Sequence, residues 1–379
     1  MDFSFNEDQE LMRDEVRRFA EERIRPGVAE RDREHRFPLD IFKEMGEMGL
    51  LGMLVPEEYG GAGIDTLSYL LAMEEISRVD PAVAVTMSVT NSVCCWPIVR
   101  FGGEALKRKV LPALAAGETL GGFGLTEPGA GSDAGSLKTT ARRDGDFWVL
   151  DGEKAWITNA GHAGWFVVVA RTNPEAGKRG LSAIVVPADA PGFSVGQPEE
   201  KLGLKSSRTA QIYFSDCRVP AENLLGEEGQ GLKIALATLD HSRLGIAAQA
   251  VGIHQRALEL AVAYSKERVQ FGSPIASNQA IQFKIAQMAT ELAAARALTH
   301  YAGSMEHSSQ AGRLAAQAKV YASEAANRAC QESLQIHGGN GFHDDYEISR
   351  LYRDVRVTTI YEGTSEMQRL VIARHLLQK

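Results

Sequence analysis

"FWVLDGEKAWITNAG", residues 147–161, decides how the rest of the chain is read. Its apolar, β-branched and aromatic residues come in short runs bounded by Asp, Gly and Asn, the pattern of strands rather than of a helix. "WFVVVART" (165–172), "LSAIVVPA" (181–188) and "QIYFSDCRVP" (211–220) repeat it, and Asp144-Gly145 and Asp151-Gly152 read as hairpin-type turns. A small β domain therefore occupies the middle of the chain.

The pattern changes on both sides. From Asn6 to about Arg25, residues Leu11, Met12, Val16, Phe19, Ala20 and Ile24 recur at helical spacing, with Asn6 and Gln9 as a capping box and Pro26-Gly27 as a stop. Further helices are expected over 39–49, 65–78, 81–100 and 103–116. After Gly231, alanine-rich stretches such as "ELAAARALTHYA" and "AAQAKVYASEAANRAC" predict three or four long helices. The expected fold is α+β, with an all-α domain over 1–118, a β domain over 119–230 and a four-helix bundle over 231–379.

At 379 residues, 44% hydrophobic and 24% charged, the chain has the composition of a globular protein of two or three domains. Its net charge of -8 (41 basic against 49 acidic residues) comes with no basic block, which disfavours nucleic acid or an anionic membrane as main partner. "MDFSFNEDQE" has neither the basic nor the apolar region of a signal peptide, and no run approaches a membrane span, so a cytoplasmic protein is expected. Cys94, Cys95, Cys217 and Cys330 show no pairing pattern, and the nine histidines no metal-ligand spacing, so no metal is expected.

Two stretches carry chemistry. In "TTIYEGTSEMQR" (358–369), Ser365 and Gln368 match the box S-x-x-Q ahead of Met367, Leu370, Val371, Leu376 and Leu377, so a helix should start near Ser365. Glu362 then precedes a helix N-terminus, where the dipole favours any anion, and two readings stay open: an acid that answers the dipole, or a catalytic base. "GLTEPGAGSDAGS" (124–136) formally matches the dinucleotide motif as Gly129-x-Gly131-x-x-Ala134. The match fails in context, because Leu137, Thr139 and Ala141 lead into a hairpin and not a helix. What remains is either a solvent loop or one whose amides and hydroxyls (Thr126, Ser132, Ser136) face an anion.

Taken in order, "GLTEPGAGSD", "KAWITNAG", "ERVQFGSPI", "QIHGGNGF" and "IYEGTSEMQRL" closely resemble the acyl-CoA dehydrogenases, over essentially the whole chain. The resemblance implies an FAD enzyme with its flavin between the β domain and the bundle. Thr126, with Phe123 and Leu125 beside it, would meet the pyrimidine edge, and Trp156, Ile157 and Thr158 would flank the ring, with the Thr158 hydroxyl near N5. Gly131 and Ser132 would lie by the pyrophosphate, Ser132 also by the incoming CoA. Arg268, Gln270 and Phe271, with Gln279 and the run Gln335, Ile336, His337, Gly338 and Gly339, would hold the adenosine half from a neighbouring subunit, which implies an oligomer, commonly a homotetramer. Thr364 and Glu366 complete the implied cofactor set.

By the same resemblance Glu362 is the base that takes the α-proton of an acyl-CoA thioester while the β-carbon gives hydride to the flavin. Burial beneath Tyr361 would raise its pKa. Some members place the base on the helix matching "TLDHSRLGIAAQA"; here that position is Ser242, which cannot serve. Asp240, Ser242, Arg243, Tyr361 and Gly363 fall at the implied substrate mouth. "AVAVTMSVTNSVCCWP" (82–97) has no basic residue to pair a second carboxylate, which disfavours dicarboxylyl thioesters. Val85, Val89, Ser92, Val93 and Trp96 fall on one helical face, and Val89 and Trp96 would close the tunnel after about four to six carbons, since each buried methylene adds only about 0.8 kcal/mol before longer chains clash. The implied electron acceptor is an electron-transfer flavoprotein. The rivals are an acyl-CoA oxidase, in general longer than a chain ending at Lys379, a flavin monooxygenase of the same fold, and a flavin-carrying nucleic-acid-binding relative.

Overall fold

The computed structural model describes residues 5–377. The chain is helical up to Ala115, as α1 (Glu7–Phe19), α2 (Val28–Glu34), α3 (Leu39–Glu47), α4 (Thr66–Val79), α5 (Pro81–Ser88), α6 (Trp96–Phe101) and α7 (Glu104–Ala115). Local chemistry sets these starts. Asn6 Oδ1 accepts from Gln9 N–H at 2.8 Å and the Gln9 amide answers at 3.2 Å, which is the expected capping box. Asp65 caps α4, and Asp80 with Pro81 behind it caps α5. Gly27, at φ 82°, ends the first helix but also turns the chain into α2, which the periodicity did not predict.

Eight strands follow: β1 (Leu120–Gly124), β2 (Thr140–Asp144), β3 (Phe147–Thr158), β4 (Ala163–Arg171), β5 (Leu181–Pro187), β6 (Phe193–Pro198), β7 (Thr209–Pro220) and β8 (Leu224–Leu225). They form one sheet in the order β6-β7-β3-β2-β4-β5-β8, with β1 parallel to β4. Asp144-Gly145 makes the expected hairpin between β2 and β3. Asp151-Gly152 does not turn the chain: β3 runs through it, and the register against β7 slips there. Glycine is required because a Cβ at 152, where φ is 136°, would sit 2.8 Å from Thr139 Cα.

The last part is α8 (Gly231–Glu267), a β9–β10 hairpin (Val269–Gln270, Ser273–Pro274), α9 (Gln279–Ser304), α10 (Ala311–His337), α11 (Glu347–Val355) and α12 (Ser365–Leu377). α8, α9 and α10 pack as a bundle, α12 lies along α10, and α4 packs on α8 from the N-terminal side. One apolar core runs from α1 and α4 through the sheet into α8 and α10. The helix expected over 81–100 is present as a continuous 21-residue rod, Pro81–Phe101; contrary to the expectation that no run approaches a membrane span, it is long and apolar enough to cross one, but 89% of its apolar window is buried in the protein. Its middle, Val89–Cys95, is π-helical.

Candidate active site

α11 ends in a 3-10 turn (Arg356–Thr359), and the chain then crosses the bundle to α12 through Ile360, Tyr361, Glu362 and Gly363. Glu362 has φ 52° and Gly363 φ 93°, two consecutive left-handed residues. In a non-glycine residue this costs about 1 kcal/mol and persists only where the surroundings hold it. Two side chains hold it here: the Lys319 ammonium donates to the Gly363 carbonyl at 2.7 Å, and the Gln368 amide to the carbonyls of Glu362 (3.2 Å) and Gly363 (2.9 Å). The expected capping box is thereby corrected. α12 does start at Ser365, but Thr364 Oγ1 takes the Met367 N–H at 3.3 Å, Ser365 Oγ is enclosed without a partner, and Gln368 reaches back to the turn instead.

The Glu362 carboxylate sits among Ser242 and Arg243 of α8, Lys319 of α10, and the Tyr69 phenol of α4. Its Oε2 is enclosed with no hydrogen-bond partner. Burial raises its pKa; the Ser242 hydroxyl and the charges of Lys319 and Arg243 pull the other way without cancelling the rise. Arg243, itself buried, pairs with the half-exposed Asp240 one turn before it. Tyr361 turns its hydroxyl onto Gln249 Oε1, and the Gln249 amide is fixed by the Pro81 carbonyl at 2.8 Å.

Beside this turn lies an apolar patch of Ala82, Val85, Val89, Val93 and Leu204, against which Phe123, Val357 and Tyr361 pack. Three of the five residues expected on one helical face are here. Ser92, the polar member, bonds back to the Ser88 carbonyl at 2.7 Å and lies 3.4 Å from the Ser88 hydroxyl that receives Tyr69, whereas Trp96, after the π-helical stretch, stacks on His241 at 4.8 Å.

The β domain presents the second half of the site. Trp156 is 60% exposed at φ 61°, in a break of register between Lys154 and Ile157. A core aromatic would be covered; this indole is held outward by strained backbone. Ile157 points the other way into the core, so only its backbone is available, and Thr158 is half-buried. Next to this break runs Leu125–Glu127, where the Thr126 carbonyl accepts from Ala155 N–H at 2.9 Å and Thr126 keeps part of its surface, while Leu125 is buried. Gly131 and Ser132 lie in an exposed loop, and a Cβ at 131 would meet nothing within 4 Å. These residues fit an FAD: a free indole to lie against a ring, hydroxyls at its edge, and an open loop of small residues for phosphates. Thr364 and the exposed Glu366 line a cavity of about 420 Å³ with Asn327, Arg328 and Arg356.

The remaining cofactor candidates lie elsewhere. Arg268, Gln270 and Phe271 follow the end of α8, and Gln335 to Gly339 end α10. Tyr264 stacks on His337 at 4.2 Å and receives an Asn340 hydrogen bond at 3.0 Å, so both groups, which the sequence separates by 64 residues or more, share one end of the bundle. Ile336 and His337 are buried within the subunit, whereas Phe271, Gln279, Gln335, Gly338 and Gly339 are exposed. At 1.5 Å per residue, Arg243 to Glu267 along α8 spans about 36 Å. One chain therefore does not bring this end to its own Glu362. Gln249, Lys319 and Tyr69 were not singled out from sequence, and Gln368 only as a capping residue; buried polar residues on apolar helical faces were the signal.

The chain matches the family models for the acyl-CoA dehydrogenase N-terminal domain (residues 6–118), middle domain (122–217) and C-terminal domain (229–377). It is 49% identical to the mitochondrial short-chain specific acyl-CoA dehydrogenase of Mus musculus, over 98% of this chain and 90% of that one. It superposes with a TM-score of 0.98 and 46% identity, over the whole of both chains, on a chain in a structure of the electron transferring flavoprotein of Acidaminococcus fermentans. An acyl-CoA dehydrogenase complexed with FAD from Bacillus anthracis gives 0.95 and 38%, over 99% of this chain and 69% of that one. With every domain matched and an indole and loop shaped for the cofactor, the chain belongs to the acyl-CoA dehydrogenase family, an FAD-dependent oxidoreductase acting on acyl-CoA.

Proposed function

We propose that the protein oxidises a short acyl-CoA thioester to its trans-2-enoyl-CoA, with Glu362 as the α-proton base. The observation that carries this is the enclosed Glu362 carboxylate, whose Oε2 has no partner and whose pKa burial raises. An oxygen committed to no hydrogen bond is free to take a proton, and a raised pKa brings its basicity towards neutral pH. Bound FAD supplies the acceptor for the hydride that leaves the β-carbon. Among the described residues nothing accepts the Glu362 backbone N–H, which leaves it to donate to the thioester oxygen as enolate charge develops.

The short acyl group is supported by the apolar patch of Val85, Val89 and Val93, against which Tyr361 packs with its hydroxyl held on Gln249. The helical rod that supplies the three valines carries no basic residue before Arg100, so it offers no partner to a second carboxylate. For the electron acceptor we assign an electron-transfer flavoprotein, supported by the likeness to a chain solved with such a protein. For the assembly we assign a homotetramer in which one subunit's Arg268 and Gln335 end serves another's flavin.

Glu362→Gln tests the reading. The amide keeps the shape and removes the base, so anaerobic flavin bleaching by butyryl-CoA should slow by several orders of magnitude with FAD and thioester binding retained. Rapid bleaching in this variant refutes the assignment.

A further inference from the structure

Lys319 is fully buried in the bundle, on the face of α10 against which the Glu362 turn lies. Its one hydrogen bond goes to the Gly363 carbonyl, 2.7 Å away, yet that carbonyl already receives the Gln368 amide at 2.9 Å. A neutral donor therefore suffices to hold the turn, and Gln368 is one. What Lys319 adds is a charge, at the cost of desolvating an ammonium inside a helical bundle.

We infer, on the reading of Glu362 as base, that Lys319 is a positioning residue for it: the ammonium locks the Glu362–Gly363 turn and its charge favours the ionised form of the enclosed carboxylate. The charges around the pair support this. Facing Lys319 are Glu362, its strongest favourable neighbour, then Arg243 from α8, Glu366 from α12 and Glu324 from its own helix. Facing Glu362 are the Ser242 hydroxyl, Lys319 and Arg243, with the phenols of Tyr69 from α4 and of Tyr361. Arg243 is already committed to Asp240, which leaves Lys319 as the cation around Glu362 on which Glu362 is the strongest anionic influence. Burial lowers the Lys319 pKa to about 8, so the ammonium is present at neutral pH and is given up in mild alkali.

The sign follows directly. A cation beside a carboxylate lowers its pKa, so removing Lys319 raises that of Glu362, and the base is then ionised only at higher pH. In Lys319→Met holoenzyme, the acid limb of anaerobic flavin reduction by butyryl-CoA should move to higher pH by about one unit, which is about tenfold in rate on that limb. Lys319→Arg should restore the limb, and Gln368→Leu, which loosens the turn without touching charge, should slow reduction without moving it. A merely structural lysine would lower the amount of folded, yellow protein and leave the limb in place. If Lys319→Met does not fold, Lys319→Gln, neutral but still a donor, carries the same test. An unmoved limb in the neutral variant overturns the inference while slow Glu362→Gln leaves the base reading intact; rapid reduction in Glu362→Gln overturns both.

Discussion

Replacing Lys154 by methionine tests how the flavin-facing loop is held. The ammonium has no exposed surface; it lies 2.7 Å from Glu127 Oε1 and 3.3 Å from the Leu125 carbonyl. Glu127 also accepts from the backbone N–H groups of Lys138 (2.6 Å) and Thr139 (3.0 Å). Burial pushes the Lys154 pKa down to about 8, and with burial opposing it Lys154 still holds Glu127 below the usual carboxylate range. Removing one partner of such a buried pair costs about 3–5 kcal/mol, because an uncompensated charge stays behind. Two backbone donors remain on Glu127 and offset part of this, so we expect about 3 kcal/mol. The double variant Lys154→Met/Glu127→Gln should lose only about 1–2 kcal/mol, since no bare charge is left.

The assay is urea unfolding of the FAD-saturated protein, with FAD release followed in the same samples because bound ligand adds to apparent stability. The Lys154 bonds to Leu125 and Glu127 bracket Thr126, and Lys154 lies two residues before Trp156, so FAD retention should weaken about tenfold in the single variant, which is about 1.4 kcal/mol. A single variant within 1 kcal/mol of wild type, or a double variant no better than the single, refutes the reasoning.

Trp156→Ala should weaken FAD binding by ten- to a hundredfold while the unfolding midpoint of the FAD-free protein stays put, since the indole is 60% exposed and packs little of the core. Across a series of acyl-CoA thioesters kcat/KM should peak at about four to six carbons, with about fourfold gained per methylene before the peak; a value still climbing at octanoyl-CoA refutes the short pocket. In the wild type kcat/KM should rise with pH along an acid limb lying above the ordinary glutamate pKa of about 4.3, because the base works ionised and burial raises its pKa; a limb at the ordinary value refutes the enclosed carboxylate.

The three-part architecture was legible because each part has its own period: 3.6 residues in the outer parts and short β-branched runs in the middle. Asp151-Gly152 misled because an Asp-Gly pair fits a hairpin as well as a bulge, and the close approach of Thr139, just before the neighbouring β2, is what selects glycine there. Trp156 and Glu362 were legible as motif residues, but their left-handed backbone was not, since φ at a non-glycine residue is imposed by tertiary contacts such as those of Lys319 and Gln368. The same holds for Trp96, which follows a π-helical stretch that no local pattern announces and stacks on His241.

The separation along α8 yields the sharpest test of the assembly. Glu362, Arg243 and Lys319 lie towards one end of the bundle; Arg268 and Phe271 lie about 36 Å from Arg243 along α8, and Gln335 about 24 Å from Lys319 along α10. If a flavin is held by both ends, the ends come from different chains, and the exposed Phe271 and Gln335 are surface only in the isolated subunit. Glu362→Gln should bind FAD and fail to turn over; Arg268→Ala/Phe271→Ala should lose FAD and fail for that reason. Coexpressed, the two random partners form mixed pairs in half of the cases, and each mixed pair has one site carrying both defects and one carrying neither. About a quarter of wild-type activity should therefore return from two inactive parents, as twofold sharing of sites requires. Activity no higher than the sum of the parents, in assemblies shown to be mixed, would mean that each chain builds its site alone, and the assignment of Arg268, Gln270, Phe271 and Gln335 to a neighbour's cofactor would fall.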